Sequence, residues 1–89
     1  MWDVAEAIGF AESSADSAVD QWDEYPDAVG SFADNVVDSC NERRASAVVN
    51  QLAIAAYWDR LRALADNPPR WVSPSLLEPL RARLAQEAR

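Results

Sequence analysis

Val4, Ile8, Ala11, Ala15, Ala18, Trp22 and Tyr25 follow one another at alternating intervals of four and three residues. That spacing winds seven apolar side chains onto one stripe of an α-helix and is incompatible with the period of two that a half-buried strand requires. The spacing predicts a helix over residues 3–24. Asp3 stands where an N-cap is needed, and Glu6, three residues on, completes the pattern of a capping box. Pro26 closes the segment, because the residue before a proline is disfavoured in the α region. The three alanines in the middle of the stripe leave room for a neighbouring helix to approach closely.

A second helix is expected over 27–39, with Val29, Phe32, Ala33, Val36, Val37 and Cys40 on one face and Gly30 weakening its start. The third, over 41–66, is apolar nearly all round, with Val48, Val49, Leu52, Ile54, Tyr57, Trp58, Leu61 and Leu64 pointing in many directions. Such a helix is usually central. Ser39 and Glu42 form a second capping-box pattern, which puts a break between helices two and three; one continuous bent helix is the alternative. Asn67-Pro68-Pro69 ends the third helix, and residues 67–74 read as an extended, proline-containing connector pinned by Trp71. A last helix over 76–88 carries Leu77, Leu80 and Leu84 on one face. Short loops between the first three helices favour antiparallel neighbours. The expected fold is therefore all-α, a small up-and-down bundle of about four helices, forming a single acidic domain over 1–89. Apolar residues make up 49% of the 89, but many are alanine. Either the helices pack closely or a second copy completes the core.

The chain lacks the residues most chemistry needs. It has no histidine, which removes the commonest general base and metal ligand. Cys40 is the single cysteine and cannot build a zinc site or a disulfide; on the apolar stripe of helix two it reads as a buried structural thiol. Two glycines make no phosphate-cradling loop, and the stretch from Asp16 to Asp27 lacks the alternating oxygen ligands and central glycine of a calcium loop. No catalytic residue, metal or cofactor is expected. No apolar run approaches the ~20 residues a membrane span requires, and no basic segment with an apolar stretch opens the chain. A cytoplasmic location without membrane contact is the default expectation.

Charge is distributed unevenly. Residues 1–42 hold eleven acids and no basic residue, whereas residues 43–89 hold eight arginines against four acids, so the two parts carry −11 and +4. The arginines are dispersed, and a chain of net charge −7 is repelled by phosphate, so direct nucleic-acid binding is not expected. Their expected task is to neutralise the acidic half or to serve a contact between copies.

Within the acidic half two rows recur at every fourth residue: Glu12, Asp16, Asp20 and Glu24, then Asp34, Asp38 and Glu42. Each like-charged i,i+4 pair on a helix costs about 0.2–0.5 kcal/mol, and acids at a helix C-terminus typically cost about 0.3–1 kcal/mol each. Both rows lie opposite their helix's apolar stripe and should face solvent. A cost without visible compensation suggests function. These two rows, with Asp23 and Asp27, form an anionic face suited to a basic surface on another protein, including one built for nucleic acid. The carboxylates recur only every ~6 Å along a helix, far sparser than the ~1.7 Å per charge of a duplex, so imitation of nucleic acid is incomplete. Trp22 and Tyr25 adjoin the acids and offer aromatic anchors, although the group Trp22, Tyr25, Tyr57 and Trp58 reads first as core.

The leading reading is thus a non-catalytic protein-binding module, a small acidic inhibitor or adaptor. The alternative is a structural or assembly subunit that forms a homodimer through its apolar seam, the acids merely solvating it; an enzyme ranks third. In size, acidity and helical content the chain resembles small inhibitor proteins such as bacteriocin immunity proteins and phage-encoded inhibitors of nucleic-acid machinery. It shares no motif with them, and no residue role is carried over.

Overall fold

The Asp3 carboxylate caps the first helix as its sequence demands: Oδ1 accepts the Glu6 N–H at 2.8 Å. A computed structural model describes residues 1–87 of the chain. Its order is α1 Val4–Asp20, α2 Ala28–Glu42, α3 Ala47–Asp66, a 3-10 turn Pro74–Leu76 and α4 Leu77–Glu87. Among the described residues there is no strand, so the all-α bundle stands. The sequence extends the last helix to 88, a residue outside those described. No helix of the described chain is long and apolar enough to cross a membrane.

Two boundaries differ from those read in the sequence. The first helix ends at Asp20, not 24, and residues 21–24 turn away, with the Tyr25 N–H donating to the Gln21 carbonyl at 2.9 Å. Continuing the helix would have placed Asp20, Asp23 and Glu24 together at its negative end; stopping at Asp20 removes Asp23 and Glu24 from that turn. Ser39 and Glu42 do not start the third helix; they occupy the last turn of α2. That helix closes in a Schellman arrangement: Ala45 N–H bonds the Cys40 carbonyl at 2.9 Å and Arg44 N–H the Asn41 carbonyl at 3.1 Å. Arg44 sits at φ 55 where glycine is usual, so no glycine betrays the stop. Ser46 then caps α3, its hydroxyl accepting the Val49 N–H at 3.2 Å. Helices two and three are therefore separate.

Side-chain contacts fix the topology. Arg43, just past α2, lies over the Trp2 ring before α1, 4.7 Å from its centroid, so α1 and α2 run antiparallel. Tyr57 in the second half of α3 donates to the Val29 carbonyl near the start of α2 at 2.6 Å, so α2 and α3 are antiparallel as well. Arg81 reaches the Ala65 carbonyl while Arg83, further along α4, lies over Trp58, earlier in α3. The bundle is up-down-up-down, with α1 and α3 parallel.

The core lies between α1, α2 and α3. Ala7, Ala11, Ala15 and Ala18 are fully buried within the single chain, whereas Val4 and Tyr25 at the ends of the predicted stripe are 42% and 58% exposed. Val36, Cys40, Tyr57, Leu61 and Leu80 are fully buried with the alanines. α3 touches each of the other helices, as a central helix should. Its first turns are an exception: Val48 and Leu52 are 66% and 44% exposed, because α4 is short and packs only along the second half of α3. The connector also differs from expectation. Residues 69–72 form a turn in which Val72 N–H bonds the Pro69 carbonyl, and Val72, not Trp71, is the buried residue.

Burial holds the Tyr57 phenol well above its ordinary range, with the nearby Arg83 charge opposing the shift. A phenol that ionises near pH 10 in the unfolded chain and later in the folded one leaves the folded state binding more protons above pH 10. Stability contributed there is full below pH 10 and falls as pH rises, by up to about 1.4 kcal/mol per pH unit. Tyr57→Phe should therefore cost about 1 kcal/mol at pH 7 through the lost hydrogen bond and flatten the alkaline decline. Denaturant titrations at pH 7, 10 and 11 check both, with Tyr25→Phe as the exposed control.

Candidate functional site at the acidic, aromatic end of the bundle

Because α1 and α3 run parallel, the 21–27 loop after α1 and the 67–73 connector after α3 emerge at the same end. Asp20, Asp23, Glu24 and Asp27 are all exposed there. Asp27 takes the N-cap position of α2 without a side-chain capping bond, and its charge still favours the positive end of that helix. Of the two predicted anchors, Trp22 is half-buried against the core, whereas Tyr25 is 58% exposed.

The first acidic row is altered by the fold. Glu12 and Asp20 are exposed, Glu24 has left the helix, and Asp16 is engaged by α3. Arg60 Nε donates to Asp16 Oδ1 at 2.7 Å and Nη2 to Oδ2 at 3.3 Å, a fork that fixes the orientation of the carboxylate. Both side chains remain more than a third exposed, at 37% for Arg60 and 40% for Asp16. The hydrogen bond to Asp16 raises the Arg60 pKa against the desolvation that opposes it, with the Asp16 and Glu12 charges adding to the rise. The guanidinium therefore stays charged. The second row, Asp34, Asp38 and Glu42, is exposed along the outer side of α2.

The two rows do not merge. Phe10 packs on Trp2 with ring centroids 5.2 Å apart, and Arg43 covers that Trp2, so the Phe10 side of α1 faces α2. Asp16 points instead to α3. The α1 row thus lies on the side away from α2, and the rows form separate patches joined only through the loop acids.

One open depression of about 290 Å³ is lined by Asp16, Ser17, Asp20 and Trp71. Trp71 is 47% exposed and presents an indole to two carboxylates one helical turn apart. Sequence reasoning missed Trp71, Ser17 and Arg60 as members of this end. The offset of 44 residues between Asp16 and Arg60 carries no local signal, and Trp71 was read as the pin of the connector. Only the unusual Pro68-Pro69-Arg70-Trp71 run pointed to a displayed aromatic.

The buried thiol of Cys40, by contrast, lies toward the other end of α2. Burial raises its pKa, which makes it a poor nucleophile. Among the described residues no group of three metal-ligating side chains comes together. The arrangement is suited to holding a cation against carboxylates and an aromatic face. Compared with family models, curated proteins and solved structures, the chain matches none, so its reading stands on these residues.

Asp16 and Asp38 should respond oppositely to removal of charge. Asp16→Asn loses the inter-helix fork and should cost roughly 0.5–1 kcal/mol, the range of a half-exposed pair. Asp38→Asn relieves repulsion from Asp34 and Glu42 and should be neutral or stabilising by about 0.2–0.5 kcal/mol. Urea unfolding of both variants, with Arg60→Gln to close a double-mutant cycle on Asp16, measures the difference.

Proposed function

We propose that this chain is a non-catalytic protein-binding module, a small acidic inhibitor or adaptor that docks on a basic surface of another protein. One observation carries this reading. Of the three ion pairs among the described residues, only Arg60–Asp16 crosses from the basic half to the acidic half. Arg62 pairs with Asp59 and Arg83 with Glu87, both within the basic half. The arginines therefore leave most of the acidic half uncompensated, and its field is available to a partner. The exposed Tyr25 and Trp71 add apolar contact beside the acids. Because the rows are separate patches, docking does not rely on imitation of a duplex. We read the encounter as cytoplasmic, which a lone buried cysteine suits.

Converting Asp20, Asp34 and Asp38 to Asn preserves shape and avoids the structural Asp16. A partner recovered from host extract with the parent chain, then purified, should associate with the triple variant on the order of tenfold more slowly at low salt. The parent's advantage should shrink as salt rises. Equal association rates for parent and triple variant would sink the reading.

Self-association is the second reading, and a different face now favours it. The register that sets Asp16 against Arg60 sets Val4 level with Val48, and Val4, Val48 and Leu52 are all substantially exposed. Sedimentation equilibrium at micromolar concentration should show a monomer of 9.8 kDa. A dimer that Leu52→Glu dissociates would instead favour the assembly subunit.

A further inference from the structure

We propose that the depression between Asp16, Ser17, Asp20 and Trp71 receives a single arginine side chain of the partner protein; this rests on the reading above and names the chemistry of its contact. The guanidinium would stack on the exposed half of the Trp71 indole and donate to Asp20, with Asp16 as the second acceptor.

Three features favour one planar cation. First, the two carboxylates differ in what they have left to give. Arg60 already occupies one site on each Asp16 oxygen, and a carboxylate offers about four lone-pair sites, so the 40% exposed Asp16 keeps acceptor capacity toward solvent while its orientation is fixed. Asp20, one turn on, makes no ion pair among the described residues. Of the two carboxylates that line the depression, Asp16 is already paired with Arg60, which leaves the charge of Asp20 for one incoming cation. Second, the site lies at the C-terminal end of α1, where the helix dipole adds to the attraction for a cation. Third, the wall is aromatic. A guanidinium is planar, weakly hydrated and stacks on an indole while its edges hydrogen-bond. An ammonium cannot use face and edge together in this way, and a divalent ion gains little from the ring. The volume of about 290 Å³ suits one side-chain head rather than a folded surface. Arg70, beside Trp71 in sequence, does not line the depression.

Nuclear magnetic resonance of the full, nitrogen-15-labelled chain tests the assignment at low salt, using acetyl-Gly-Arg-Gly-amide and its lysine counterpart as probes. The arginine peptide should shift the Trp71 indole N–H and the amides of residues 16–20 saturably, with the lysine peptide binding about threefold more weakly. Trp71→Leu leaves net charge unchanged and should weaken the arginine peptide about threefold. Asp20→Asn should weaken it at least as much, and Asp38→Asn should not. Circular dichroism of each variant verifies that it is folded. Shifts centred on Asp34, Asp38 and Glu42, or binding indifferent to Trp71→Leu, would overturn the pocket while leaving a basic partner in place. Absence of binding by the arginine peptide would likewise overturn the pocket, while the association rates of the triple variant decide the wider reading.

Discussion

Burial of the alanine face of α1 is the contact on which the rest of the structure depends. Ala7, Ala11, Ala15 and Ala18 expose nothing to solvent, and with no side chain beyond Cβ they let α2 and α3 close on the same helix. A chain of 89 residues has little large apolar volume to spend, and close packing of small side chains recovers dispersion contact that bulk does not supply. The larger fully buried residues, Tyr57 and Leu61 on α3 and Leu80 on α4, belong to the same core. Tyr57 serves both needs: its ring fills the core, and its hydroxyl finds the Val29 carbonyl, so no buried polar group is left unmatched there.

The same packing decides what the surface can do. Drawing α3 parallel to α1 brings Arg60 to Asp16 and returns both following loops to one end. That end collects the acids of 20–27 and the exposed Tyr25 and Trp71. Tyr25 already adjoins these acids in sequence, and topology adds Trp71 to them. At the far end the short α4 leaves Val48 and Leu52 uncovered, at the same end as Asp3 and Glu6 of α1 and Glu42 of α2. α4 covers only part of α3 because it is about half its length, with 11 residues against 20.

The architecture was legible where the signal was periodic. The four-three alternation of α1, the apolar stripe of α2 and the all-round apolarity of α3 each depend on side-chain spacing that no tertiary contact overrides. The boundaries were less legible, because caps depend on backbone geometry as well as residue type. Arg44 adopts a left-handed conformation without glycine, and Ser46 rather than Ser39 caps α3, although both serines suit the role. The acidic rows were visible, yet their fate was not. Whether Asp16 meets solvent or Arg60 is set by which flank of α1 receives α3, and a helical wheel cannot supply that. Trp71 and Val72 illustrate the same limit: sequence favours the larger side chain as the buried one, and the turn at 69–72 buries the smaller.

The electrostatic cost of the acidic half is unevenly relieved. Asp16 is compensated by Arg60, and ending α1 at Asp20 takes Asp23 and Glu24 off its negative terminus. Asp27 sits at the favourable end of α2. Relief of this kind is absent for Asp34, Asp38 and Glu42, which repeat along one exposed side of α2 with the last at its negative end, joined by no ion pair among the described residues. A fold that compensates one carboxylate of α1 and none of this row on α2 is not short of arginines, since two of the three ion pairs among the described residues join groups that already lie in the basic half. Under the proposed reading, a cationic partner that met this row would gain both the new attraction and the relief of the old repulsion.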